Sequence, residues 1–260
     1  MKMSTYYYKP QPRILNKDVA IVAEIQEIIT IVAESGYRPV TTVLKRTQTI
    51  NHKRVQRIMR ENGLLCRKHK RFQHGTTNAR HRYLKYPNIE KDVITTDINQ
   101  VVVGDVTAYD VRGKDHFCAL LMDRDNREVI GKAVSDKNDT ALILAALEDA
   151  HSNRPNLGGC IHHTDADVRY CSDDYTDRVK ELKMKISMCV GNAYKNAHAE
   201  SLNKTVKRQE INISDYENKE ESGVSIFSFI DLYNSYRPHS ALGGLTPIEY
   251  RMTRKTKTKV

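Results

Sequence analysis

The order of strand-like and helix-like segments after residue 98 restricts this chain to one fold class. Three runs rich in β-branched and apolar residues follow one another, at 101–109, 117–122 and 128–134, with turn-forming residues between them. Helical patterns and further strands then alternate up to about residue 236. Three successive strands followed by alternating helices and strands predict an α/β domain with a mixed sheet. The first three strands of this sheet are expected to form an antiparallel meander.

The remaining elements of this domain follow from hydrophobic spacing and from capping residues. The pair Asn138-Asp139 precedes a helical pattern, and the pair Gly158-Gly159 precedes a short strand. The predicted helices cover 140–151, 174–182, 193–208 and 225–236, and the predicted strands cover 160–164 and 185–188. Together these segments complete a mixed sheet flanked by helices.

The first 65 residues carry a different pattern, which predicts a small all-α domain. Apolar residues at helical spacing, with Gly36 and Gly63 as stops, give helices over 19–33, 39–46 and 51–62. The last helix is basic, and four side chains lie off its apolar stripe: Lys53, Arg54, Arg57 and Arg60. A short helix, a tight turn and a basic helix predict a helix-turn-helix that enters a major groove, although any small basic helical bundle has similar spacing.

Basic residues are concentrated in one block of a chain whose formal net charge is +10. Residues 37–91 contain fifteen Lys or Arg against two Asp or Glu, whereas residues 92–250 carry an excess of acidic residues. A basic block on an otherwise acidic chain is typical of a protein that binds a polyanion such as double-stranded DNA. The alternative is a solvated basic surface or a flexible tail, and we adopt it only for residues 251–260.

Residues 66–96 show no clear period and mix basic with aromatic side chains, which predicts an extended basic linker that follows DNA phosphates. A zinc site is the alternative for its cysteine and histidines, which are Cys66, His69, His74 and His81. Structural zinc ligands usually come in close pairs of fixed spacing, so we prefer polar linker histidines. The predicted domains are therefore a helix-turn-helix domain (1–65), this linker (66–96), a core (97–250) and a basic tail (251–260).

Composition argues against a membrane protein and against a disulfide-stabilised one. The longest apolar run, 141–147, is far too short to span a bilayer, and the N-terminal residues lack the apolar core of a signal peptide, so we expect no export. Five cysteines without a CxxC pair suit a reducing compartment. With 39% hydrophobic and 28% charged residues, the sequence predicts a globular protein of the cytosol.

Three acidic residues occupy positions in this layout that need a chemical explanation. Asp105 lies inside the first predicted strand, where a carboxylate costs stability unless a partner compensates it. Asp165 ends the fourth strand, and Glu200 lies on the long helix. Carboxylates that converge from such elements can hold Mg²⁺, which prefers hard oxygen ligands; ordinary surface charges are the alternative. Four other acids are expected to be surface or capping residues: Asp97, Asp110, Asp123 and Asp173.

Six collinear segments resemble the OrfB transposases of the insertion-sequence-three family, almost from end to end. They are GYRPVTTVLKR…INHKRVQRIMRENGL (36–64), TTNARHRYLKYPN (76–88), NQVVVGDVT (99–107), IHHTDADVRYCSDDY (161–175), GNAYKNAHAESLNKTVK (191–207) and YNSYRPHSALGGLTPIEY (233–250). The resemblance implies a helix-turn-helix domain joined to a retroviral-integrase-like core with the RNase H-like fold. It also implies a DDE polynucleotidyl transferase whose triad in this sequence is Asp105, Asp165 and Glu200.

The same resemblance implies a cofactor and partners. The three acids would bind two Mg²⁺ ions, with Mn²⁺ as a substitute, and the substrate would be double-stranded DNA at the element ends and at the target. A homo-oligomer on DNA is expected, and an upstream OrfA product, separate or fused by frameshifting, is the implied protein partner. We expect no membrane association and a location in the bacterial cytosol, at the nucleoid.

Lys204 and Lys207 follow Glu200 at helical spacing and lie on the same helix face as the carboxylate. We predict that both lysines hold the scissile DNA, with ordinary surface lysines as the alternative. Asn192 and Asn196 share this face towards its start. They are candidates for orienting the Glu200 side chain or a phosphate.

Two functions of different class are compatible with the sequence. The first is an active, metal-dependent DNA transposase, and the second is a non-catalytic DNA-binding protein, either a decayed copy or a partial product of the element. A general RNase H-like nuclease is disfavoured by the helix-turn-helix domain. One departure from the family pattern lies beside the expected ligands, where Asp167 replaces a common Gly, and we expect Arg169 to offset its charge.

Overall fold

The computed structural model describes residues 16–66, 81–189 and 196–257 of the chain. The chain divides into two compact units, Met1–Cys66 and Arg67–Val260, and each unit has hydrophobic core residues of its own. The predictions for His69, His74 and Asn192 lie outside the described residues.

The N-terminal unit contains the three predicted helices: α1 (Asn16–Ile31), α2 (Tyr37–Leu44) and α3 (His52–Glu61). Their apolar stripes meet in one core, in which Ile25, Val40 and Val55 are fully buried. The Asn51 side chain caps α3 by accepting a hydrogen bond of 2.9 Å from the backbone N–H of Lys53. The prediction of a small all-α domain is confirmed.

The second unit is built on a five-stranded mixed sheet: β1 (Val101–Val111), β2 (Lys114–Asp123), β3 (Val129–Ser135), β4 (Ile161–Asp165) and β5 (Lys185–Cys189). The strand order is β3-β2-β1-β4-β5. Strands β1, β2 and β3 pair antiparallel, whereas β1 pairs with β4, and β4 with β5, in parallel. This topology confirms the predicted meander and the predicted mixed sheet.

In the described part of this unit, five α-helices accompany the sheet: α4 (Thr140–Asn153), α5 (Asp173–Glu181), α6 (Ala197–Gln209), α7 (Lys219–Ser235) and α8 (Pro247–Lys257). The alternation of β1 divides its side chains between the two sheet faces. Val102 and Val106 pack with residues of α4 and α5, whereas Val101 and Val103 pack with residues of α6 and α7. Each face therefore has its own apolar layer.

The C-terminal residues 251–257 are not the flexible tail that their charge predicted, because they continue α8. This helix begins with a capping box, in which the Thr246 backbone N–H donates to Glu249 at 2.8 Å and the Glu249 backbone N–H donates to Thr246 at 3.2 Å. Arg251 Nε donates to Glu128 Oε2 at 2.9 Å and ties the helix to the turn between β2 and β3. Charge alone concealed this helix, since the acidic partner of Arg251 lies far away in the sequence and is supplied only by the fold.

Asp123 is expected from the sequence to be a surface or capping residue; it is completely buried at the end of β2, so the surface alternative is wrong, and it caps backbone N–H groups there. Its carboxylate accepts hydrogen bonds from the backbone N–H groups of Asn99, at 2.7 Å, and Asp125, at 2.9 Å. Burial raises the pKa of Asp123 to about 6, against the effect of these hydrogen bonds. The carboxylate thus organises the turn that leads into β3.

The described part of the predicted linker, residues 81–96, lies against the core of the second unit. The Ile89 backbone N–H donates to Ser187 Oγ on β5 at 3.1 Å, and Glu90 forms a largely buried ion pair with Arg124. This part of the chain is therefore fixed to the core rather than extended away from it. Among the described helices, none is both long enough and apolar enough to cross a membrane.

Candidate active site

Side chains of β1 point alternately to the two faces of the sheet, and the side chain of Asp105 lies on the face that α6 covers. It shares this face with Val101 and Val103, whose side chains are buried. Its carboxylate accepts one hydrogen bond of 2.8 Å from the backbone N–H of Val106 and another of 2.8 Å from Nδ2 of Asn203 on α6. The second bond connects β1 directly to the helix that carries Glu200.

Asp165 is brought beside Asp105 by the parallel pairing of β1 with β4. Val101 lies opposite Ile161 and Val103 opposite His163. The same register, continued by two residues, puts Asp165 next to Asp105 on the same sheet face. The charge of Asp165 acts on the carboxyl of Asp105, in agreement with this placement.

Glu200 approaches the two aspartates from α6. Its side chain is 27% exposed, and Oε2 lies 3.3 Å from Nζ of Lys204 one helical turn further on. Asn203, which binds Asp105, follows Glu200 by three residues and therefore lies on the same side of the helix. The structure thus brings the three predicted acids together from β1, β4 and α6.

Electrostatic repulsion among these acids is concentrated on Asp105. The pKa of Asp105 is raised to about 7, first by burial and then by the charge of Asp165, with a smaller contribution from Glu200. Its hydrogen bonds to Val106 and Asn203 oppose this shift without cancelling it. A divalent cation between the carboxylates would remove the repulsion that the protein groups leave uncompensated.

The oxygen donors of the site suit a hard divalent cation such as Mg²⁺. Beside the carboxylates, the amide oxygens of Asn196 and Asn203 are buried and have no hydrogen-bond partner among the residues that the structure describes. However, no group of three His, Cys, Asp or Glu side chains in the described parts of the chain already encloses a single ion position. The three acids are thus near one another without enclosing an ion, and Glu200 contacts Lys204 instead.

The two predicted DNA-holding lysines occupy different environments. Lys204 is exposed and contacts Glu200. Lys207 is half-buried near Asp105; burial lowers its pKa, and the charge of Asp105 raises it. Both side chains therefore lie beside the acids, as their spacing from Glu200 predicted.

Arg169 offsets the charge of Asp167, as the sequence predicted. Both the backbone N–H and Nε of Arg169 donate to Oδ1 of Asp167, at 3.0 and 2.5 Å, and both side chains are buried. The described non-glycine residues with positive φ do not include Asp167, so its side chain does not strain the backbone. The acidic replacement is thus accommodated beside Asp165.

Sequence reasoning missed Asn203 and misjudged the contact of Asn196. Asn196 Nδ2 donates to the backbone oxygen of Gly104 at 3.0 Å, so it binds β1 rather than the Glu200 side chain. Asn203 binds the neighbouring Asp105. The available signal was the spacing of the two asparagines, four residues before and three residues after Glu200, which places all three on one helix face.

The basic side chains of α3 divide into two pairs. Arg54 and Arg57 bind opposite oxygens of Asp18 on α1, at 2.7 and 2.8 Å, and these contacts lower the pKa of Asp18, with Arg57 contributing most. Lys53 and Arg60 are exposed and form no ion pair with any residue that the structure describes. Exposure therefore favours Lys53 and Arg60 for direct DNA contact.

Comparisons with known proteins agree with this architecture. An HTH-like domain model matches residues 17–72, and two integrase core domain models match residues 95–192 and 183–247. The transposase for insertion sequence element IS904 of Lactococcus lactis subsp. lactis (strain IL1403) is 30% identical over 215 residues, which cover 81% of this chain and 85% of the relative. The transposase InsF for insertion sequence IS3A of Escherichia coli (strain K12) is 29% identical over 202 residues, 77% of this chain and 70% of the relative.

A similar fold occurs in a solved viral structure. The cryoEM structure of the simian T-cell lymphotropic virus intasome in complex with PP2A regulatory subunit B56 gamma has a TM-score of 0.51 and 12% sequence identity. The match covers 87% of this chain and 74% of that chain. At this identity the similarity concerns the fold alone.

The integrase core, its RNase H-like sheet and the helix-turn-helix unit define a polynucleotidyl transferase that acts on DNA. The similarity to transposases over four-fifths of the chain is more specific. The chain belongs to the insertion-sequence-three family of transposases, whose function is DDE DNA transposition and whose integrase core is generally metal-dependent. No observation on the described residues favours the non-catalytic alternative.

The carboxyl of Asp105 is expected to make the stability of the metal-free protein pH-dependent. Because its pKa rises from 3.8 to about 7 on folding, its contribution to stability is complete below about pH 4 and is lost as the pH rises towards 7. At pH 8 without metal, we expect Asp105→Asn to increase the free energy of unfolding by about 2–4 kcal/mol in urea denaturation.

Asp110→Asn is the matched control, because Asp110 is exposed on the same strand. We expect it to leave stability nearly unchanged at pH 8. Added Mg²⁺ should raise the unfolding midpoint of the wild type and have little effect on Asp105→Asn. A destabilised Asp105→Asn protein at pH 8 would contradict the assignment of electrostatic repulsion to this carboxyl.

Proposed function

We propose that Asp105, Asp165 and Glu200 are the catalytic residues and that they hold two Mg²⁺ ions, for which Mn²⁺ can substitute. The observation that supports this proposal most is the raised pKa of Asp105, to which both other acids contribute. The negative charges of Asp165 and Glu200, which lie on separate elements, therefore both affect the carboxyl of Asp105. The reaction is cleavage of DNA strands at the element ends and their transfer to target DNA.

The protein groups have distinct tasks in this reaction. Bound metal ions supply Lewis-acid activation for in-line displacement at a phosphodiester. Asp105 and Asp165 provide adjacent ligands from the sheet, and Glu200 provides a ligand from α6. Asn203 orients the Asp105 carboxylate through its hydrogen bond of 2.8 Å.

The lysines of α6 hold the DNA beside these ligands. Lys207 lies near Asp105, where its charge suits a phosphate next to the scissile bond. Lys204 contacts Glu200 in the metal-free protein. If Glu200 holds a metal ion, this contact would be lost, and the Lys204 ammonium would be available to a DNA phosphate.

The N-terminal unit binds double-stranded DNA through α3. Lys53 and Arg60 contact DNA directly, because both are exposed without an ion pair to the described residues. Arg54 and Arg57 lie beside them, and their contacts with Asp18 fix α3 against α1. We propose that these two arginines contact DNA from this fixed position.

The reaction also suggests the partners. Two element ends and a target must be held at once, which a homo-oligomer on DNA achieves, and the viral structure with a similar fold is an intasome. An upstream OrfA product, separate or fused, is the proposed protein partner. The proposed location is the bacterial cytosol at the nucleoid.

Catalysis by the three acids is tested with the full chain on DNA that carries the terminal repeats. In Mg²⁺ we expect Asp165→Asn and Glu200→Gln each to reduce strand cleavage and joining at least about 100-fold, because each change removes a metal ligand. The same losses should occur in Mn²⁺. Gel analysis of the cleaved and joined products measures both steps.

Asp173→Asn serves as the control, since Asp173 is an exposed acid in the first turn of α5. It should retain the wild-type rate. Wild-type rates for Asp165→Asn and Glu200→Gln would sink the catalytic assignment, provided that both variants keep the wild-type unfolding midpoint.

DNA binding through α3 is tested by the salt dependence of affinity. The double variant Lys53→Gln/Arg60→Gln should reduce the slope of log affinity against log salt by about 2, because each lost phosphate contact reduces it by about 0.9. The control is the double variant Lys180→Gln/Arg178→Gln, which also removes two positive charges. Both are paired with acids on α4 and α5, so this variant should leave the slope unchanged. An unchanged slope for the α3 variant would contradict the assignment.

A further inference from the structure

Two arginines of the second unit are partly buried without a carboxylate in contact. Arg127 lies in the turn between β2 and β3, and Arg237 follows α7. Neither forms an ion pair with any described residue, although eight other arginines do. Burial lowers the pKa of both guanidinium groups.

Arg237 packs on the ring of Tyr233, and Arg127 is close enough to act electrostatically on the same side chain. The Arg237 guanidinium lies 5.5 Å from the ring centre of Tyr233, and its Nη1 lies 3.3 Å from Nε2 of His239. Arg127 contacts Nδ1 of His198, the second residue of α6. Arg127 also acts electrostatically on Tyr233 and on His239. The pKa of His239 is lowered to about 3, first by burial and then by the positive charges of Arg237 and Arg127. We call Arg127, His198, Arg237 and His239 the arginine cluster.

Three acids lie close enough to act electrostatically on the arginine cluster. Asp123 and Asp125 act on Arg127; Asp123 accepts two backbone hydrogen bonds in its own turn, whereas the buried Oδ2 of Asp125 has no hydrogen-bond partner among the described residues. Glu90 acts weakly on His198 but forms its ion pair with Arg124. Two buried guanidinium groups without a contacting counter-charge are costly, and an anion bound between them would offset that cost.

The position of the cluster distinguishes it from the catalytic acids. His198 and Glu200 are two residues apart on α6, so their side chains point to nearly opposite sides of the helix. Gln209, at the end of α6, lies on the same side as His198 and accepts a hydrogen bond of 3.0 Å from Arg237 Nε. A ligand of the cluster therefore lies across α6 from the acids.

We propose that the arginine cluster binds a phosphate group of the DNA backbone, separate from the phosphate at the catalytic acids. The fork of a guanidinium matches two phosphate oxygens, and two such forks beside Tyr233 form a site for one diester. This proposal rests on the proposed DNA function. It adds a second contact that holds the DNA on the far side of α6.

The test uses the full chain with Asp165→Asn throughout, so that catalysis plays no part in the result. Fluorescence anisotropy with terminal-repeat DNA over a range of salt concentrations measures affinity. We expect Arg127→Gln to lower affinity several-fold at low salt and to reduce the log–log salt slope by about 1. Arg112→Gln is the control, because Arg112 is exposed and already paired with Glu217, and it should change neither quantity.

A second measurement distinguishes the source of the phosphate. Inorganic phosphate should raise the thermal unfolding midpoint relative to chloride at equal ionic strength, and Arg127→Gln should abolish this rise. Arg237→Lys, which keeps the charge but loses the fork, should show a smaller rise than the parent protein.

An unchanged salt slope together with no phosphate effect would overturn the site. A phosphate effect with an unchanged slope would overturn the DNA assignment and identify free phosphate as the ligand. Active Asp165→Asn protein would refute the catalytic proposal but would leave both measurements at Arg127 valid. Cooperative thermal unfolding of Arg127→Gln without phosphate, at or above the parent midpoint, shows that the variant is folded.

Discussion

The core domain depends on the placement of an acidic side chain in a buried strand. Asp105 stands among buried valines and beside Asp165, where ionisation is opposed by burial and by like charge. Two hydrogen bonds, from Val106 and Asn203, offset part of this cost. A divalent cation bound at these carboxylates, as we propose, would remove the remaining repulsion.

Helix α6 connects this constraint to the rest of the domain. One side of the helix carries Asn196, Glu200, Asn203 and Lys207 at helical spacing, and these residues contact β1 or act on Asp105. Its opposite side carries His198, in contact with Arg127. Between them, apolar residues of α6 pack on the sheet. A single helix therefore sets the positions of both the acids and the arginine cluster.

Local patterns in the sequence were sufficient for the strands, for most helices and for the candidate acids. The burial of Asp123 and the ion pairs of Asp18 could not be predicted, because they depend on neighbours that only the folded chain supplies: Asn99 for Asp123, and Arg54 and Arg57 for Asp18. Helix α8 was missed for another reason. Its capping box was present in the sequence, but its basic composition suggested a solvated tail.

The most direct test of the central claim is anomalous diffraction from crystals of the protein soaked in Mn²⁺. The account predicts Mn²⁺ density within about 2–2.3 Å of carboxylate oxygens of Asp105 and Asp165, with Glu200 as a ligand of at least one ion. Ordered Mn²⁺ elsewhere on the protein, with none at these three carboxylates, would contradict it.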